Sequence, residues 1–90
     1  MADEIAKVCL DGAAYIEKHG WCQGALQRTD GSVCLLGALC ATNNYGHSRS
    51  AVVDEIGGGI VEWNDAPGRT KDEVLALLRR VAANHGGPPA

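Results

Sequence analysis

Val33-Cys34-Leu35-Leu36-Gly37-Ala38-Leu39-Cys40-Ala41 is the one run of nine residues in this chain without a polar side chain. A bilayer-spanning helix needs about 20 apolar residues, so the run is too short to cross a membrane. It is apolar on every side, whereas a surface helix is apolar along one stripe. The run is therefore expected to be a buried central helix, starting near Val33 or Cys34 and ending near Thr42, with the rest of the chain packed around it. Gly20-Trp21-Cys22-Gln23-Gly24 and the Thr29-Asp30-Gly31-Ser32 turn lead into it.

Ninety residues suit one domain, expected over residues 1–84. A chain of that size buries only about two thirds of its unfolded surface, so its core is small. With no Phe and two Trp, that core must come from small aliphatics, with Trp21 and Trp63 as the largest fillers.

The flanking patterns predict a mainly α domain of about four helices. From Asp3 to about His19, Ile5, Val8, Cys9, Gly12, Ala13 and Ile16 recur at helical spacing opposite Glu4, Lys7, Asp11, Glu17 and Lys18. Gly20 is placed to end this helix in the left-handed conformation. Trp21 to Arg28 lacks a helical period and reads as extended. Asp30-Gly31 suits a type I′ turn folding Gln27 to Val33 into a short β-hairpin, unless Ser32 caps the central helix directly. After a loop through Asn43-Asn44-Tyr45-Gly46, Ser48 is expected to cap a helix from Arg49 to Ile56 with Val52, Val53 and Ile56 inward. Gly57-Gly58-Gly59 ends it. Ile60, Val61 and Trp63 return to the core as a short apolar segment, and residues 64–68 turn the chain. Thr70 and Glu73 form a capping box for a last helix, Lys71 to Asn84, with Val74, Leu77, Leu78 and Val81 inward. Residues 85–90, with two Gly and two Pro, are expected to be a flexible tail.

Charge narrows the partners. The formal net charge is -3 and no basic stripe is available to neutralise phosphates, so nucleic acid is not the expected ligand. Arg69, Lys71, Arg79 and Arg80 read as a solvated face, because Asp72 and Glu73 interrupt them. Met1-Ala2-Asp3-Glu4 is acidic where a secretory signal is positive, and no apolar segment follows. A cytoplasmic location is expected, with Cys9, Cys22, Cys34 and Cys40 reduced.

Cys34 is the sharpest chemical candidate. At a helix N-terminus a thiol meets unpaired amides and the positive end of the helix dipole, which lower its pKa and favour a nucleophile. His19 or His47 would then be the base and Gln23 an oxyanion donor. The opposing reading is a core cysteine, since Cys34 sits in the most apolar run. Zinc on His19-x-x-Cys22 with Cys34 and Cys40 is disfavoured: positions six apart on a helix differ by about 240° and cannot share one ion. No metal or cofactor is expected. Trp63-Asn64-Asp65 reads as a turn with Trp63 plugging the core. If Gln23, Asn64 and Asp65 join in one polar network, they specify the fold and do no chemistry. Glu62 with Asp65 receives no acid–base role.

Trp21-Cys22-Gln23-Gly24, Cys34-x-x-Gly37-Ala38, Trp63-Asn64-Asp65 and Thr70-Lys71-Asp72-Glu73-Val74 together resemble an uncharacterised family of small domains from actinobacteria and their phages. The resemblance runs from the first helix to the last and implies a shared fold without an established activity. It also admits a phage accessory product. The expected function is a small non-enzymatic interaction or regulatory module acting on a protein partner, a host protein or a second copy of itself. The alternative is a Cys34-dependent thiol enzyme or hydrolase.

Overall fold

The apolar run supplies the short central helix of a bundle. A computed structural model of the chain describes residues 2–41 and 45–89, organised as α1 (Ala2–His19), α2 (Leu35–Cys40), α3 (Tyr45–Ile56), α4 (Ile60–Asn64) and α5 (Lys71–Asn84). The fold is mainly helical, and no β-sheet occurs among the described residues. None of the described helices is long and apolar enough to cross a membrane.

The most extensive helix pairing is α1 with α5. On α1 the buried stripe is Ala6, Cys9, Ala13 and Ile16, and on α5 it is Val74, Leu77, Leu78 and Val81. Both stripes follow the three-and-four spacing that puts residues on one helical face. Leu35, Ala38 and Leu39 of α2 are fully buried within the same core. Gly20 ends α1 at φ +95°, its amide donating to the Ile16 carbonyl at 2.7 Å. At the other end of the chain, Thr70 and Glu73 form the full capping box of α5.

Several boundaries differ from the sequence expectation. The central helix is only six residues long, with Cys34 as its N-cap; the expected helix end at Thr42 and the loop residues Asn43 and Asn44 lie outside the described residues. α3 begins at Tyr45, so Ser48 is not its cap but an inward, fully buried residue of the first turn. Of the three residues expected inward, Val52 is fully buried, while Val53 and Ile56 are partly buried against the core. The short apolar segment after the triple glycine is helical, one of five helices among the described residues. Its turns close through Trp63 N to the Gly59 carbonyl at 3.1 Å and Asp65 N to the Val61 carbonyl at 2.9 Å. Helical spacing then turns Ile60 and Asn64 inward and leaves Val61 outside.

The stretch before α2 contains isolated bridges, with Val33 parallel to Trp21 and antiparallel to Gln27. Its turn is centred on Thr29-Asp30, one residue earlier than expected: Gly31 N donates to the Arg28 carbonyl at 2.9 Å. The cause is Asp30, whose Oδ1 accepts from Ser32 N at 2.9 Å and from Ser32 Oγ at 2.6 Å. Ser32 is thereby occupied, and Cys34 takes the cap. Beyond α5, where a tail is expected, Gly87 N donates to the Ala82 carbonyl at 2.8 Å and Gly87 lies close to Ala6.

Candidate functional site

Asn64 joins three separate sequence blocks. Its side chain is fully buried at the end of α4. Oδ1 accepts from Trp21 Nε1 at 2.7 Å and from Leu35 N, the first residue of α2, at 2.9 Å. Nδ2 donates to the Cys22 carbonyl at 3.1 Å and to Asp65 Oδ1 at 2.9 Å. One carboxamide therefore uses both donors and two acceptor directions, which is the full capacity of the group.

Around it, Gln23 Nε2 donates to the carbonyls of Asn64 at 2.9 Å and Ala66 at 3.1 Å. Gly24 N donates to Asp65 Oδ1 at 3.1 Å, and Arg28 Nη2 to the Gln23 carbonyl at 2.8 Å. Hydrogen bonds from Asn64 and Gly24 hold the Asp65 carboxyl below the usual range, so it stays charged at neutral pH. The loop at 21–24 and the end of α4 are thus stitched side by side. Among the described residues no buried side-chain polar atom lacks a partner.

The tryptophans rim the core and do not fill its centre. Trp21 and Trp63 are both partly buried. The Arg69 guanidinium carbon lies 3.8 Å from the Trp63 ring centroid, and Arg69 Nε donates to the Trp63 carbonyl at 2.9 Å. The stack covers one face of the ring, and a 3.3 Å ion pair from Arg69 brings in Glu73. Arg79 pairs with Glu17 and Arg80 with Glu55, so basic groups of α5 tie helices together.

Beside the Asn64 network runs a groove of about 120 Å³ lined by Gly24, Ala25, Leu26, Cys34, Val61 and Asp65. Leu26 is 54 % exposed and Val61 41 %, the two large hydrophobic residues most open to solvent among those described. The sequence pattern singles out nothing at Leu26 and sends Val61 to the core, whereas both are open to solvent. The available signal was helical phase: once Ile60 and Asn64 face inward, Val61 must face out.

For a nucleophile the arrangement is unfavourable. Cys34 is 3 % exposed, and burial pushes its thiol pKa up, outweighing the hydrogen bonds from Gly37 and Leu36 that lower it. The lowering expected of a helix N-terminus is therefore reversed. His19 lines a different depression with Trp21, Cys22, Gln23, Arg28, Asp30 and Ser32, its ring against Tyr15 at 4.3 Å between centroids. His47 lines a third with Ile5, Asp54, Glu55 and His85. Both Gln23 Nε2 hydrogens are committed to carbonyls, which leaves none for an oxyanion. Cys40 is exposed and Cys9, Cys22 and Cys34 are buried. Among the described residues, no three His, Cys, Asp or Glu side chains stand together as a metal site.

A family model covers residues 1–84 and carries the description of a family of unknown function, DUF6197; the chain belongs to that family. Comparison with curated proteins finds no match. Comparison with solved structures likewise finds none.

Proposed function

From membership of that family as premise, we propose that this domain is a non-enzymatic protein-interaction module whose contact point is the groove between Leu26 and Val61. The observation that supports the reading is that two exposed large hydrophobics line one groove, on a loop and a helix fastened by a buried hydrogen bond from Asn64 to the Cys22 carbonyl and a part-buried one from Gln23 to the Asn64 carbonyl. Apolar side chains held open to water on a rigid frame lose that exposure when a partner covers them, at about 25 cal/mol per Å². The Asp65 carboxylate at the rim selects a partner that sets a basic group beside its apolar anchor. The setting is the cytoplasm, and the partner is a host protein if the chain is phage-encoded, in keeping with the resemblance to actinobacterial and phage domains.

The test is retention of a discrete protein from an actinobacterial lysate on the immobilised full chain. Leu26→Asp and Val61→Asp, both at exposed positions, should each lower retention at least tenfold with unchanged circular dichroism. Equal retention by the variants and the parent sinks the reading. Loss of a concentration-dependent dimer in the same variants would identify the partner as a second copy.

The alternative, a Cys34-dependent thiol enzyme or hydrolase, keeps one supporting observation: Cys34 lines the groove. It requires rapid thiol reactivity in the folded protein, against the raised pKa at that position.

A further inference from the structure

Cys22 and Cys34 occupy matching places one residue beyond a parallel bridge. Val33 N donates to the Gly20 carbonyl and Cys22 N donates to the Val33 carbonyl, each at 3.0 Å, which pairs Trp21 with Val33. In parallel register the next pair is Cys22 with Cys34. Cys34 is itself extended, at φ -83° and ψ 177°, and alternation along extended backbone puts residues that follow a parallel bridge on one side of the pair. Paired segments lie about 4.8 Å apart. Cys22 and Cys34 directly follow the Trp21–Val33 pair, and the Cys34 thiol feels the Cys22 thiol electrostatically; a disulfide spans Cα atoms about 4.4–6.8 Å apart.

The rung that would follow, from Leu35 N to the Cys22 carbonyl, is replaced by the Asn64 carboxamide, which accepts from the first and donates to the second. An amide inserted into the ladder opens the register just past the cysteine pair. Both thiols are free, with Cys22 7 % and Cys34 3 % exposed. Cys22 Sγ donates to the Ala25 carbonyl at 3.5 Å, and Cys34 Sγ caps α2 by accepting from Gly37 N at 3.3 Å, so closing a bond between them exchanges one cap hydrogen bond for a covalent link.

We propose that Cys22 and Cys34 are a reversible dithiol–disulfide pair, oxidised by a small hydroperoxide that enters along the groove lined by Cys34. Cys34 sulfur, as thiolate, attacks the O–O bond. That bond breaks, the leaving alkoxide or hydroxide takes up a proton, and Cys34 becomes a sulfenic acid. Cys22 sulfur then attacks the Cys34 sulfur; the S–O bond breaks, the S–S bond forms, and the released hydroxide leaves as water with the Cys22 proton. Two thiols have lost two electrons and the hydroperoxide has been reduced to an alcohol, or to water, plus water. An external dithiol reverses the change by thiol–disulfide exchange. The closed bond fastens the loop that carries Leu26 to the head of α2. Because burial holds the Cys34 thiol in its protonated form, the first step accelerates as pH rises.

The test treats the folded full chain carrying Cys40→Ser, which removes the exposed thiol, with hydrogen peroxide. The expected product is lighter by two hydrogens, has one titratable thiol after denaturation in place of three, and links tryptic peptides 19–28 and 29–49. A dithiol should restore all three thiols, and the rate should rise with pH. A linkage through Cys9, stable sulfinic or sulfonic products without linkage, or a link formed only in urea each overturns the proposal.

Discussion

Asn64 holds the Trp21 indole across 43 positions of sequence, its Oδ1 accepting from Nε1 at 2.7 Å. The same oxygen takes the Leu35 amide, and the other end of the carboxamide serves the Cys22 carbonyl. The side chain acts as an extra peptide group set between two pieces of backbone. Its geometry requires an acceptor at one end and a donor at the other.

Asn64→Asp separates those two requirements. The new carboxylate still accepts from Trp21 and Leu35 but turns a second acceptor toward the Cys22 carbonyl, in a fully buried place. A loss of about 2–4 kcal/mol at pH 7 is expected. Burial and the facing carbonyl raise the pKa of the introduced acid, so the deficit against the parent shrinks as pH falls and the protonated acid donates. Urea unfolding at pH 7 and at pH 5 measures this, and a pH-independent deficit contradicts it.

Two glycines should respond oppositely to alanine. A Cβ on Gly37 would overlap the Leu26 carbonyl oxygen, which is itself fixed by accepting from Cys34 N at 3.1 Å. Gly37→Ala should cost about 1–3 kcal/mol through overpacking. A Cβ on Gly12 would meet Ala38 at 3.7 Å, ordinary contact, inside a helix where alanine is favoured. Gly12→Ala should be neutral or stabilising by up to about 1 kcal/mol. Paired denaturation curves decide, and the contrast fails if both variants lose equally.

Thiol titration with a bulky aromatic disulfide should find one fast group, the exposed Cys40, in the folded protein. Cys9 should react only on unfolding, because burial lifts its pKa to about 11. Cys34 should lag behind Cys40 at neutral pH for the same reason. A second fast thiol that disappears in Cys34→Ser would favour the enzyme reading instead.

Acid should destabilise the fold through three carboxylates. Asp30 is lowered chiefly by the Ser32 side-chain hydrogen bond, Asp65 by the Asn64 side chain and Glu73 by the Thr70 amide. A depressed folded pKa means stability present above the unfolded value, about 4, and lost as pH falls through the folded one. The melting temperature should therefore be insensitive to these groups between about pH 5 and 7 and fall below about pH 4. Asp65→Asn should reduce that acid slope; an unchanged slope removes Asp65 from the account.

Local chemistry was legible without coordinates. The faces of α1 and α5, the stop at Gly20 and the Thr70–Glu73 cap follow from periodicity and from partners three or four residues apart, where chain geometry alone brings groups together. The apolar run dictated its burial only in part: Val33, Cys34, Leu35, Ala38 and Leu39 are buried, Leu36 and Gly37 half-buried, and Cys40 and Ala41 exposed, because a helix packed on one side of a small core keeps a face toward solvent. What the fold had to decide was who meets whom at long range: Asn64 with Trp21 and Leu35, Gln23 with the end of α4, and Leu26 and Val61 across one groove. Asn, Asp and Gln in loops bond equally well to near neighbours or to distant backbone, and only the packed path of the chain selects between them. The α4 phase, set by inward Ile60 and Asn64, is the same kind of outcome, because a five-residue segment carries too little pattern to orient itself.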